Sequence, residues 1–291
     1  MKPAAFDYFR PSSLDEALQQ LAACGDGAKV IAGGQSLGPM LNMRLAMPTA
    51  LIDLNDLTEL AYIRDGGAVL SVGALTRHEQ IAESSLVQAR CPLLAQAAKT
   101  IGHYAIRQRG TIGGSLAHAD PAAQFPLIAM TLGAEIEIAN PRGSRRVPAS
   151  AFFLSVMATA LAADEIIHCV HFPTVNVNEG SSFKLFNRRH GDYAIVAVAT
   201  TVALEGERVA RVRLGLSGVS ATPTVCDEMV RPFAGGMANA AWAAEVARAV
   251  GAAVSPEDDA RMAAVYRKEL TENLVEQALV RALSRAKGRI T

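Results

Sequence analysis

Hydrophobic and polar positions along this chain switch between two periods. Leu14, Ala17, Leu18 and Leu21 recur at spacings of three and four, which predicts one apolar face of a short helix. Ser13 and Glu16 stand at capping-box spacing at its start. "KVIAGG" then predicts a strand running into a turn, and "ALIDLNDL" a second strand ending near Asn55. "AVLSVGALT" predicts a third, followed by a helix capped by Thr76 and Glu79. "CPLLAQAAKTIG" fits a helix stopped near Gly102. "FPLIAMTLGAEIEIA" starts apolar throughout and ends in strand-like alternation. "PRGSRRVP" reads as a basic turn, and "EIIHCVHFP" as a strand closed by Pro173.

The stretch "TVNVNEGSS" is polar and carries an Asn-Glu-Gly turn, so a boundary is expected there. Beyond it, "YAIVAVATTVALEG" and "VARVRLGLSGVS" predict two long strands joined at Glu-Gly. "NAAWAAEVARAVGAAV" and "TENLVEQALVRALSRAKG" have strong helical patterns. Strands followed by helices predict an α+β carboxyl-terminal part.

The length of 291 residues suits one large domain or two medium ones, and a 50% hydrophobic content suits a sizeable core. Formal charge is zero, with 28 basic and 28 acidic residues. That balance gives no support for a nucleic-acid or anionic-membrane surface. Cys24, Cys91, Cys169 and Cys226 are far apart and form no CxxC, so neither a disulfide framework nor a cysteine-ligated iron–sulfur cluster is expected in this chain. The opening "MKPAAFDYFRP" lacks a signal-peptide core, and no apolar run reaches transmembrane length. A soluble, cytoplasmic protein is the expectation.

The candidate chemistry lies in two similar phrases, "IAGGQSL" and "TIGGSLAHADP". Glycine permits positive φ and close approach to the backbone. Successive amides in such loops can form an anion-binding nest. Gly33, Gly34, Gln35 and Ser36 follow a strand; Thr111, Gly113, Gly114 and Ser115 offer the same equipment. Two such walls would grip a diphosphate without much net positive charge, whereas each alone also reads as an ordinary tight turn. Neither phrase is a GxGxxG fingerprint or a GxxxxGK[ST] loop, which disfavours Rossmann and P-loop enzymes. Asp120 is placed either to accept from sugar hydroxyls or to cap a following helix. His118 with Asp120 makes too few ligands for a metal. His168 and His171, three apart on a strand, are expected on opposite faces.

At these phrases the chain resembles the FAD-binding medium subunit of molybdenum hydroxylases of the carbon monoxide dehydrogenase, xanthine dehydrogenase and aromatic N-heterocycle hydroxylase types. The likeness runs through "FDYFRPSSLDEALQQLA", "IAGGQSLGPMLNMRLAMPTALIDLNDLTEL", "RQRGTIGGSLAHADPAAQFP" and "FKLFNRRHGDYAIVAVA". It implies an α+β fold: a two-part FAD-binding domain of the PCMH type over 1–176, divided near 57, and a CO dehydrogenase flavoprotein-like domain over 177–291. It also implies that Ala32, Gly33, Gly34, Gln35, Ser36 and Leu37, with Thr111, Gly113, Gly114 and Ser115, hold the FAD diphosphate and adjacent groups. Asp120 would contact the sugar or ribityl region. Tyr193, Ile101 and Leu161 would lie by the isoalloxazine, and Lys184 near the ring edge.

The resemblance further implies an electron relay and assigns no catalytic base to this chain. A small subunit with two [2Fe–2S] clusters and a large subunit with the molybdopterin cofactor would be its partners, in a dimer of heterotrimers. Electrons would leave through FAD to an external acceptor that no motif identifies. The alternative is a self-contained flavin oxidoreductase with its own small substrate; a non-enzymatic assembly protein is a further alternative, set against the presence of both glycine phrases and Tyr193.

Overall fold

The first apolar helix face finds its partner in a small parallel sheet. The computed structural model describes residues 2–176, 178–260 and 262–290. Strands β1 (Asp7–Phe9), β2 (Ala28–Ile31) and β3 (Ala50–Asp53) pair in the order β1-β3-β2, all parallel. Helix Leu14–Cys24 packs Ala17, Leu18 and Leu21 against Ala28, Ala50 and Ile52. Ser13 caps this helix by accepting from Glu16 N at 3.2 Å. The Glu16 carboxylate reaches back to Ser12 rather than Ser13, accepting from its amide at 2.7 Å.

A second, antiparallel sheet has the order β4-β5-β10-β6-β7. Its strands are β4 (Ile63–Asp65), β5 (Val69–Gly73), β6 (Glu135–Asn140), β7 (Gly143–Pro148) and β10 (Ile166–Pro173). The short hairpin β8 (Phe153–Ser155) and β9 (Ala158–Thr159) leaves its edge. Between β5 and β6 the chain makes six helices; Pro92–Ala98, Ile112–His118 and Gln124–Leu132 supply much of the core beneath the sheet. The Thr76–Glu79 cap does not form. Thr76 Oγ1 donates to Tyr62 O at 2.9 Å, and helix His78–Glu83 is capped by Gln80 Oε1 accepting from Arg77 N at 2.8 Å.

"GSRRVP" is edge strand β7 rather than a turn, because its arginines are engaged on the sheet. Arg146 pairs with Glu137 across the ladder at 3.3 Å, and Arg145 with Glu165 at 2.7 Å.

The histidines of β10 also depart from simple alternation. A β-bulge between Ile167 and Cys169 restores both rings to one face. His168 Nδ1 and His171 Nε2 lie 3.1 and 2.8 Å from the two oxygens of Glu137. Burial raises the Glu137 pKa, but the His171 and His168 contacts outweigh it and hold the carboxyl below its ordinary value.

The third sheet, β11 (Glu179–Phe186), β12 (Val196–Glu205), β13 (Arg208–Ser217) and β14 (Thr224–Val225), is an antiparallel meander. Helices Ala240–Ala253 and Ala264–Ile290 build its separate core with Val198, Val202, Leu214 and Leu216. The polar "EGSS" is fully engaged in β11, with Ser181 and Ser182 buried. Gly180 explains why: a Cβ there would collide with Ala282 O and Ala286 N of the last helix, so that helix lies directly on the strand backbone.

No helix among the described residues is long and apolar enough to cross a membrane. All four cysteines are free. Burial pushes the Cys91 and Cys226 thiols up to about 12, far from reactive thiolates.

Candidate functional site

The loop after β2 and the helix Ile112–His118 face each other across a cleft of about 810 Å3. All the expected flavin-contact residues except Asp120 and Lys184 line it. Ala32, Gly33, Gly34, Gln35, Ser36 and Leu37 form one wall. Thr111, Gly113, Gly114 and Ser115 form another, while Ile101, Leu161 and Tyr193 approach from three further segments.

The two glycine phrases are built differently. In the first, Gly34 takes φ 68°, where an L side chain is strained. Gln35 folds back, donating from Nε2 to Gly33 O at 2.8 Å. Among the described residues, the amides of Gly33, Gly34, Gln35 and Ser36 have no protein acceptor. They are a row of donors in the cleft wall, as an anion requires.

The second phrase is no loop. Thr111 is the N-cap of helix Ile112–His118, accepting from Gly114 N at 3.1 Å. Ile112 N donates to Thr76 O at 3.1 Å and Gly113 N to Ala74 O at 2.8 Å. Ser115 N donates to Thr111 O at 3.0 Å. Its amides are therefore spent on the protein, and the nest expected here does not exist. The glycines act through their missing side chains. A Cβ on Gly113 would run into Ala74, and Gly114 is exposed to the cleft, leaving the first helical turn open to close approach.

Under this helix lies His78, which the sequence did not single out. Its Nε2 sits 3.0 Å from Thr111 O, so the proton belongs on that nitrogen. The ring meets Phe125 edge-on at 5.0 Å, and Gly110 packs against it. Burial lowers its pKa to about 4, with Arg77 and Arg107 opposing the cation further. His78 is a neutral support for the wall at physiological pH.

Tyr193 is 45% exposed toward the opening. Burial raises the phenol pKa, the Asp120 charge adds to this, and a hydrogen bond with Ser36 opposes it. Asp120 thus acts close to the cleft without lining it. Its Oδ1 accepts from Ala122 N at 2.8 Å, a turn that leads into helix Gln124–Leu132. Lys184 sits on β11, half-buried and outside the cleft wall.

Leu161 is held by a device that the sequence pattern hid. Glu165, buried at the cleft edge, accepts from Ala162 N at 2.9 Å and from Arg145 Nε at 2.8 Å. Arg145 also donates to Ala160 O at 2.7 Å. The Arg145 hydrogen bond is the main reason that the Glu165 carboxyl is held down at about 2. Among the described residues no group of three or more His, Cys, Asp or Glu is arranged to hold a metal ion.

A wall of unengaged amides facing an open helical turn makes a cleft suited to an anionic cofactor, without a GxGxxG or GxxxxGK[ST] motif. Comparison with known proteins identifies the family. Residues 4–175 match the FAD binding domain in molybdopterin dehydrogenase, and residues 181–282 the CO dehydrogenase flavoprotein C-terminal domain. The chain belongs to the family of FAD-binding medium subunits of molybdenum hydroxylases. It is similar to the 6-hydroxypseudooxynicotine dehydrogenase complex subunit alpha of Paenarthrobacter nicotinovorans, at 38% identity over 99% of this chain and 97% of that protein. It is 35% identical to the carbon monoxide dehydrogenase medium chain of Hydrogenophaga pseudoflava, over 98% of this chain and 99% of that one. The structure of that dehydrogenase superposes with a TM-score of 0.93 over 98% of this chain and 99% of that one. Quinoline 2-oxidoreductase from Pseudomonas putida 86 is 34% identical, with a TM-score of 0.92 and complete coverage of both chains.

The residues present fit FAD. The cleft volume lies within the range of about 300–1,000 Å3 typical of cofactor sites. Unengaged amides at Gly33–Ser36 match a diphosphate, the absent Cβ atoms of Gly34 and Gly114 permit close approach, and Tyr193, Ile101 and Leu161 offer an apolar and aromatic lining.

Proposed function

We propose that this chain is the FAD-carrying electron-transfer subunit of a heteromeric molybdenum-dependent oxidoreductase. The observation that carries the proposal is the row of unengaged amides at Gly33, Gly34, Gln35 and Ser36 in the wall of a cleft whose other side is the Thr111–Ser115 turn. FAD held there would supply the redox chemistry of a relay between a partner subunit and an external acceptor.

The protein's own residues bind and orient. Gly33–Ser36 hold the diphosphate by backbone donors, and Ala32 and Leu37 shape the ends of that wall. Thr111, Gly113, Gly114 and Ser115 admit the adjacent groups, with the Ser115 hydroxyl available as a donor. Tyr193, Ile101 and Leu161 cover the ring system and exclude water from it. Asp120, beside the cleft, contacts the sugar or ribityl region, and Lys184, on β11 beyond the cleft wall, takes no assigned part. No residue is assigned as an acid or base catalyst.

Residues 1–176 form the FAD-binding unit, with parts at about 1–57 and 58–176, and residues 177–291 the carboxyl-terminal domain. The three larger sheets, each formed within one of these parts, support this division. The partners are a small subunit with [2Fe–2S] clusters and a large subunit with the molybdopterin cofactor, assembled as a dimer of heterotrimers in the cytoplasm. The names of the relatives, "medium chain" and "complex subunit", support a multi-subunit setting.

The test is reduction of the isolated, FAD-loaded chain. It should turn over no small substrate of the relatives' classes by itself, and its flavin absorbance should bleach once the reduced iron–sulfur subunit is added. Substrate-dependent bleaching of the lone chain would replace this reading with a self-contained oxidoreductase.

A further inference from the structure

The two walls of the cleft are joined through one cation. Arg77 follows β5, and its backbone bridges Thr111. One guanidinium nitrogen donates to the carbonyl of Arg109, just before the Gly110–Thr111 step that opens the second wall. The other terminal nitrogen donates to Asn55 Oδ1 at 2.8 Å. The Asn55 side-chain amide in turn donates to Ala32 O at 2.8 Å, at the base of the first wall. Asp53 sets the orientation of Asn55, with Oδ1 accepting from its side-chain amide at 2.6 Å and from its backbone N–H at 2.9 Å. The Tyr8 hydroxyl donates to the other Asp53 oxygen. A continuous hydrogen-bond chain therefore runs from Ala32 to Arg109. Beside it the two backbones touch, since a Cβ on Gly33 would collide with the Arg109 carbonyl.

Arg77, Asn55 and Asp53 do not line the cleft. Each wall has its own support: the first rests on the parallel-sheet core, and the second on the core around Ile112 and Leu116. Beside the Gly33–Arg109 backbone contact, the chain through Arg77 adds a directional tie between the two. A planar guanidinium can satisfy two acceptors on different segments at fixed geometry, which an ammonium group cannot reproduce.

We propose that Arg77 and Asn55 form a latch that fixes the distance between the two FAD-holding walls, making both positioning residues for cofactor retention. The proposal rests on the FAD reading of the cleft. Its consequence is specific: breaking the latch should weaken FAD binding more than it weakens the apo fold.

The experiment compares full-length wild type with Arg77→Ala, Arg77→Lys, Asn55→Ala and the double variant Arg77→Ala/Asn55→Ala. FAD dissociation constants come from flavin fluorescence titration, and unfolding midpoints are read with and without FAD. Loss of charge-assisted hydrogen bonds predicts about tenfold or greater weakening in Arg77→Ala. Arg77→Lys should restore only a minor part of that loss. The double variant should bind about as weakly as the worse single, because both break one chain. The FAD-induced rise in Tm should shrink in each variant. A wild type that binds FAD beside variants within about twofold of it, or losses that add fully in the double variant, would overturn the latch alone. Equal loss of apo stability with unchanged FAD affinity would do the same. If Arg77→Ala does not fold, Asn55→Ala decides by the same criterion. A wild type that fails to bind FAD overturns the latch together with the reading beneath it.

Discussion

At Gly34 the backbone sits at φ 68° beside amides that have no protein acceptor. A side chain there meets strain and stands where a ligand must approach. Gly34→Val should therefore weaken FAD binding by about tenfold or more, a loss of roughly 1.4 kcal/mol or more. Equilibrium dialysis against FAD checks this, and undiminished affinity would remove the first wall from the site. Tyr193 separates two contributions. Tyr193→Phe keeps the ring and loses the Ser36 contact, whereas Tyr193→Ala loses both. The alanine variant should shift the flavin absorption bands and the phenylalanine variant much less. Identical spectra in all three proteins would place Tyr193 away from the flavin.

His78 gives the residue scale a pH signature. Its folded pKa, about 4, lies below the ordinary 6.5. Between those values the unfolded chain binds the extra proton, so stability rises with pH across this window and is lost as pH falls through it. His78→Phe should flatten that part of the Tm-against-pH curve, measured by circular dichroism. An unchanged slope would mean that His78 is not the group responsible. Gly33, Gly34 and Tyr193 were legible in the sequence because glycine pairs and the Gly-Asp-Tyr phrase carry their own signal. His78, Arg77 and Asn55 were not, since their roles arise from contacts between segments far apart in the chain.

Elements were most readable where one face met one core. Helix Leu14–Cys24 follows its periodicity, whereas β12 and β13 were legible as long strands, β12 being an apolar run buried on both faces. β11 was not legible, because polar "EGSS" reads as a linker until helix Ala264–Ile290 is laid on it. That close approach makes a prediction. Gly180→Val should destabilise the protein by about 2 kcal/mol or more, since the bulk meets backbone rather than a movable side chain. Urea unfolding measures it, and a variant as stable as wild type would contradict the helix placement. The second glycine phrase misled for a related reason. "TIGG" has loop composition, but Thr111 caps a helix there and its amides are consumed internally. Likewise, a single bulge in β10 moved His168 and His171 to the same carboxylate.

The Arg145–Glu165 pair belongs to this scale as well, because it ties β7 to the segment carrying Leu161. Glu165 has a folded pKa of about 2, depressed from 4.5. Its stabilisation is present above the higher value and is lost as pH falls toward the lower one. Arg145→Ala should remove much of the acid sensitivity in that window, read as Tm between about pH 5 and pH 2.5. If the two proteins lose stability in parallel, the pair does not secure this segment.

Across the whole molecule, the core of the second sheet reaches into the third through Phe183, Ala197 and Ala199, and the cleft draws its walls from segments before, between and after the second sheet's strands. The class of fold was legible from strands followed by helices, and the family from its long matched phrases. The packing of one body on another was not, since no local periodicity encodes it. The most direct test of the central claim is to isolate the protein from its native host at low salt, record the visible spectrum, and identify each co-purifying chain and cofactor by mass. The expected result is FAD on this chain, in complex with an iron–sulfur subunit and a molybdopterin subunit. An active, FAD-loaded chain without those partners, or a chain without flavin in any fraction, would contradict it.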